Sequence, residues 1–122
     1  LGIEVPLFFY WPSEVRYENY IADTDSQIAV VQYSDGENVV HFVIISNAKD
    51  ASFHASSDTG RQIKILNSEL TEGIDIALWE VIEDGDEQPT YILQWVYKNV
   101  YYEVSGKISE TEMETIAKNI MY

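Results

Sequence analysis

Two histidines, His41 and His54, and 21 acidic side chains are the groups from which this 122-residue chain could build catalytic chemistry. A nucleophilic triad needs a serine on a sharp turn with a histidine and an acid in reach, and no Gly-x-Ser-x-Gly elbow marks one. His41 reads instead as a partly buried strand residue with one hydrogen-bonded nitrogen, and His54 as a loop residue. Neither has a second histidine four residues away, so spacing supports no His-based metal site. Asp84, Asp86 and Glu87 beside a flexible Gly85 offer the hard oxygens that calcium takes. The run is short, however, and Gln88-Pro89 ends it without the distal bidentate Glu of a calcium loop, so it reads as a solvated turn. Asp23-Thr24-Asp25 reads as another turn. Glycoside hydrolysis needs two acids across a cleft. With 21 acids coincidence supplies such pairs freely, and none stands out in an apolar context except at Glu80, beside Trp79, which reads as a strand residue facing solvent. No catalytic residue, metal ligand or cofactor site is assigned.

Composition excludes several partners. The formal charge is −14, with 3 basic and 9 acidic groups in residues 1–61 and 4 and 12 in residues 62–122. Nucleic acid and anionic lipid both require a basic footprint, which this even acidity denies. The absence of cysteine removes disulfide scaffolds, thiol nucleophiles and thiolate metal sites. The longest uncharged stretches, residues 39–48 and 88–97, are about half of the ~20 residues a membrane helix needs. No direct membrane insertion by this chain is therefore expected, and any signal peptide or anchor is expected to lie outside it. Nine Tyr and three Trp exceed what one core of this size hides. Trp11, Tyr17, Tyr20, Trp79 and Tyr101 are the candidate interaction aromatics, suited to a protein, peptide or glycan partner.

The elements that must position these groups are mostly strands. Residues 27–33 and 38–46 flank Ser-Asp-Gly-Glu, whose Asp35-Gly36 supplies the positive φ of a tight hairpin. The second run is apolar on both faces except at His41, the pattern of a central strand covered on both sides at least in part, with Val39, Val43 and Ile45 around the imidazole. Residues 47–59 read as a polar loop with room for one helical turn. Strands follow at 61–66 and 74–82, and 91–97 and 100–105 form a hairpin through Lys98-Asn99. Trp95, Tyr97, Tyr102 and Val104 are cross-strand material. The period then changes. Ser109 and Glu112 form a capping box, Ile108 and Met113 hold the staple positions, and Met113, Ile116, Ala117, Ile120 and Met121 make one apolar stripe over a helix at 110–121. At the N-terminus, Pro6 and Pro12 bracket an aromatic segment and disfavour helix, which predicts an extended arm or short edge strand.

This order of elements resembles a known family. Gly60-Arg61-x-Ile63, Leu93-x-Trp95, Tyr101-Tyr102-x-Val104-Ser105-Gly106 and Ile108-Ser109-x-x-Glu112-x-x-x-Ile116-Ala117 are similar to a domain family of unknown function from Gram-positive bacteria. Its members occur as C-terminal extracytoplasmic regions of membrane-anchored, anti-sigma-factor-like proteins and as lipoproteins. Residues 91–120 carry the most specific part, and residues 5–66 agree in order of elements. The resemblance implies a cell-envelope interaction or sensing module, with no catalytic motif to transfer.

The expected fold is α+β, a curved antiparallel sheet of about six strands with a C-terminal helix packed on one face. It forms a single extracytoplasmic domain over residues 1–122, monomeric as excised, with residues 1–13 as an extended aromatic arm. The first functional reading is a non-catalytic interaction or sensor domain at the surface of a Gram-positive cell, anchored by a segment outside this chain. The second is a carrier-like protein holding an apolar ligand between sheet and helix. The third is a small cell-envelope hydrolase. Solvation of the acidic run carries its own prediction. Residues 83–87 offer too few oxygens for the six to eight that calcium takes, so millimolar calcium leaves the melting temperature where sodium of equal ionic strength leaves it. A calcium-specific rise that disappears in Asp84→Asn and Asp86→Asn would overturn this reading.

Overall fold

Alternation of apolar side chains along the extended runs dictates a sheet with a dry face, and the C-terminal stripe supplies the helix that covers it. The computed structural model describes residues 6–8, 10–12, 15–23, 27–46, 60–83, 85 and 87–122. The strands are β1 (Leu7–Phe8), β2 (Arg16–Asp23), β3 (Ile28–Ser34), β4 (Val39–Ile45), β5 (Gly60–Asn67), β6 (Asp75–Val81), β7 (Thr90–Tyr97), β8 (Val100–Gly106) and β9 (Ile120–Met121). The helix α1 spans Glu110–Lys118. Seven strands form one open antiparallel sheet in the order β2-β3-β4-β8-β7-β6-β5, while β1 pairs with β9 in a separate two-stranded ribbon.

The fold is α+β as the patterning predicts, with seven strands in the sheet rather than six. The additional strand is β2. Its sequence, Arg-Tyr-Glu-Asn-Tyr-Ile-Ala-Asp, has no clean alternation because all eight residues are exposed. It is held by main-chain pairing to β3, with a bulge between Tyr17 and Asn19. The helix is also shorter than the expected 110–121. Asn119 caps it, its N–H bonding the Ile116 carbonyl at 3.2 Å and its side chain donating to the Thr115 carbonyl at 2.8 Å. Ile120 and Met121 then turn into β9 beside Leu7–Phe8. Ile120 remains in the core at 0% exposure, so its apolar character served the sheet-facing layer without being helical. The loop expected at residues 47–59, with His54, lies outside the described residues, as do parts of the N-terminal arm.

Register explains the core. Val31, Phe42, Val104, Leu93 and Leu78 form one row of cross-strand partners, and Ile44, Tyr102 and Trp95 form part of the next. Phe42, Tyr102 and Trp95 stack with centroids 5.6–6.5 Å apart. Met113, Ile116 and Ala117 of α1 complete the cluster, all at 0% exposure. The hairpin chemistry is as predicted. Gly36 has φ +98°, Lys98 and Asn99 have φ of 49° and 64°, and the Asp35 carboxylate accepts from the N–H groups of Glu37 and Asn38. Gly106 is required for another reason: a Cβ there would lie 3.0 Å from Val40 Cγ2 and 3.1 Å from the Val39 carbonyl oxygen.

The helix start also follows from sequence. Ser109 Oγ accepts from the Glu112 N–H at 3.1 Å. The Glu112 carboxylate, instead of closing a reciprocal box, accepts the Tyr10 hydroxyl at 2.5 Å and so ties the N-terminal segment to α1. Lys64 of β5 sits between Glu110 and Glu114, 3.1 Å from each, bridging sheet edge to helix. The C-terminal end is pinned from the β5–β6 loop, where the buried Ser68 hydroxyl donates to the Ile120 carbonyl and the Glu69 N–H to the Lys118 carbonyl. Because Ile116 is fully buried under the sheet in an apolar cluster, Ile116→Asp places a carboxylate among apolar side chains and removes one of them. We expect a loss of at least ~3 kcal/mol in urea unfolding, enough to leave little folded protein.

Candidate functional site

The alternation that sends Val40, Phe42 and Ile44 toward α1 sends His41, Val43 and Ile45 to the opposite face. There the central strands form the floor of an open groove of about 660 Å³. Ile28 and Val30 of β3, Val43 and Ile45 of β4, Ile92 of β7 and Val81 of β6 supply its apolar surface. His41, Glu103, Ser105 and Thr90 are its polar groups, and Glu83 and Lys107 stand at its rim. The expectation that β4 is covered on both sides at least in part agrees with its burial, complete on the α1 side and partial on this one, where Val43 and Ile45 are half-buried. Ile21 of β2, 70% exposed, continues the same apolar face through its pairing with Val30.

Three polar residues of this face are deeply buried. Tyr101, at 0% exposure, donates its hydroxyl to Glu103 Oε1 at 2.7 Å, and Gln94 Nε2 approaches the same hydroxyl at 3.5 Å. Glu103 is 5% exposed and Gln94 7%. Burial, and after it the Glu103 charge and hydrogen bond, push the Tyr101 hydroxyl far above the ordinary phenol range. His41 stands opposite Ser105, and Val43 opposite Glu103. The register thus brings a His, a Ser and a Glu onto one stretch of sheet. No hydrogen bond joins them among the described residues.

The candidate aromatics do not converge. Tyr17 and Tyr20 are 57% and 65% exposed on β2, while Trp11 is half-buried against Tyr33, with ring centroids 4.5 Å apart. Trp79 is half-buried on β6, its Nε1 enclosed without a hydrogen-bond partner among the described residues. Tyr101 corrects the expectation of an exposed ring, because its position in β8 puts it beneath the groove face at the sheet centre. Glu80 corrects another. Its side chain is 14% exposed, accepts Arg61 Nη2 at 2.9 Å and the Tyr91 hydroxyl at 3.2 Å, and so braces β6 against β5 and β7 rather than facing solvent.

Glu103 and Gln94 were missed by sequence reasoning. Their signal was the period-two partner set of the core: Tyr102, Val104 and Gly106 face α1, so Tyr101, Glu103 and Ser105 face away. What the sequence withheld was that β4 lies beside β8, which sets His41 near them. For the calcium reading, Asp84 and Asp86 lie outside the described residues, and among the described residues no cluster of three His, Asp or Glu side chains is placed to hold a metal.

The fold and groove define an α+β domain whose open sheet has one face covered by the helix and one that carries a partly apolar groove. The chain belongs to the DUF4367 family, a domain of unknown function whose model matches residues 5–120. No curated protein and no solved structure matches it. The Tyr101–Glu103 bond has a measurable role. Tyr101→Phe leaves a buried carboxylate oxygen without its donor and lowers stability by about 1–3 kcal/mol in urea unfolding, with an unchanged m-value.

Proposed function

We propose that the chain is a non-catalytic interaction or sensor domain and that the groove opposite α1 is its ligand-contacting surface. The observation that carries this reading is the apolar floor of Val30, Val43 and Ile45, which lies in the body of the sheet, not at its margin. Covering such surface with a ligand is favourable by about 25 cal/mol per Å² of apolar area removed from water. The groove volume, about 660 Å³, lies in the range of small-molecule sites. His41, Glu103 and Ser105 point into it as separate groups, an arrangement suited to orienting a ligand.

The resemblance of residues 91–120 brings the biological setting to this proposal. That setting is an extracytoplasmic domain of a Gram-positive bacterium, attached through a segment outside this chain, in an anti-sigma-factor-like protein or a lipoprotein. The apolar floor also favours a second reading, a carrier-like role for an apolar ligand. Its ligand would then lie on the face away from the helix, because Phe42, Trp95, Met113 and Ile116 fill the space beneath α1.

Nile red, a neutral dye that brightens in apolar surroundings, tests the groove. Val43→Lys extends a long side chain across the floor opposite Glu103 and is expected to weaken dye binding at least tenfold at an unchanged melting temperature. Tyr17→Ala together with Tyr20→Ala is expected to leave binding unchanged. The reverse pattern would transfer the binding surface to β2 and overturn the proposal.

A further inference from the structure

Glu103 is the feature of the groove that packing does not explain. It is 5% exposed, lies on the central strand β8 between Val43 and Gln94, and borders the apolar floor. Its Oε1 accepts the Tyr101 hydroxyl at 2.7 Å. Its Oε2 accepts no hydrogen bond among the described residues, and the carboxylate makes no ion pair with a described Lys, Arg or His. Lys107, which also lines the groove, is engaged in an interaction of its own. Oε2 is the carboxylate's remaining acceptor, and at the groove surface with no cation from the described residues beside it, it is placed to pair with a positively charged ligand.

The rest of the groove gives the shape of the missing partner. Val43, Ile45, Val30 and Ile92 offer an apolar bed beside the carboxylate, and the chain's −14 charge draws cations toward it. An extended peptide is disfavoured, because β4, β8 and β7 are each hydrogen-bonded on both sides and leave no main-chain groups for an added strand. A second copy of the chain would bring another −14 against the same surface.

We propose that the groove takes a small organic cation with an apolar body, its ammonium or guanidinium group pairing with Glu103 Oε2 and its apolar part lying on Val30, Val43 and Ile45. This rests on the reading of the groove as a ligand surface and adds the ligand's chemistry to it. His41 and Ser105 border the head-group end from β4 and β8.

Fluorescence titration at neutral pH with two probes of one fluorophore decides the matter. Dansylcadaverine carries a primary amine and dansylamide is neutral. The unaltered protein is expected to bind the amine about tenfold or more tightly than the amide, the scale of a charge-assisted hydrogen bond in a partly dry site. Glu103→Gln keeps an acceptor for Tyr101 and is expected to erase that preference while leaving the amide affinity unchanged. Glu72→Gln, an exposed acid in the β5–β6 loop, removes the same charge and is expected to keep it. Equal binding of both probes to the unaltered protein would overturn the cation assignment and leave the groove reading standing. So would a preference that survives Glu103→Gln, since the overall charge would then be its source. Binding of neither probe would overturn the groove reading beneath it. Should Glu103→Gln not fold, competition on the unaltered protein decides instead: octylamine displaces dansylcadaverine and octanoate does not, and equal displacement overturns the assignment.

Discussion

One short helix has to dry one face of a wide sheet, and the remaining architecture follows from that mismatch. Nine helical residues reach about 14 Å, whereas seven strands at their hydrogen-bonded spacing span about 29 Å. The helix therefore covers the sheet's centre and leaves its margins to other means. Tyr33, Trp11 and Phe8 extend the dry layer beyond α1 as a chain of aromatic contacts 4.5–4.9 Å apart, ending on Phe42. Tyr122 does the same at another point, stacking on Tyr97 at 3.9 Å and accepting the Trp95 indole N–H at 2.8 Å. Beyond these extensions lies β2, whose side chains meet its neighbour β3, Tyr17 against Tyr33 and Glu18 with Gln32, and every residue of it is exposed.

How much of this was legible in the chain depended on whether an element was specified by its own side chains or by its neighbours. The Asp35-Gly36 and Lys98-Asn99 turns, the Ser109 cap and the stripe at Met113, Ile116 and Ala117 each carry their instruction locally, and each forms as read. β2 carries none, since main-chain pairing to β3 suffices and leaves the side chains free to vary. The end of α1 was misread because Ile120 keeps helical spacing while being buried by a strand. The site was least legible. Glu103 becomes conspicuous only when β8 is known to lie between β4 and β7, and strand order is set by packing of the whole chain.

The two faces of β8 are built on different principles. Tyr102 and Val104 are completely buried against the helix-side core, and either could be exchanged for another large apolar group at modest cost. Tyr101 and Glu103, on the other side, are bound to each other, and their burial depends on that bond. An all-apolar replacement of the pair would be easier to fold. The acid therefore stands at a position where packing alone favours Leu or Val, and this contrast supports the proposed ligand contact.

An apolar sheet face and a long uncovered edge strand are together an invitation to self-association, and the chain opposes it with charge and shape. The bulge between Tyr17 and Asn19 breaks the straight run of β2, Arg16 and Asp23 mark its ends, and Glu18 is held by the Gln32 amide at 2.8 Å. The larger effect is the net charge of −14, which makes two copies repel at distances comparable to the Debye length of about 8 Å. The same field acts with opposite sign on a cation. A surface that repels its own copies can leave apolar residues uncovered in the middle of a sheet, so the acidity spread along this chain opposes the self-association that its open face would otherwise invite.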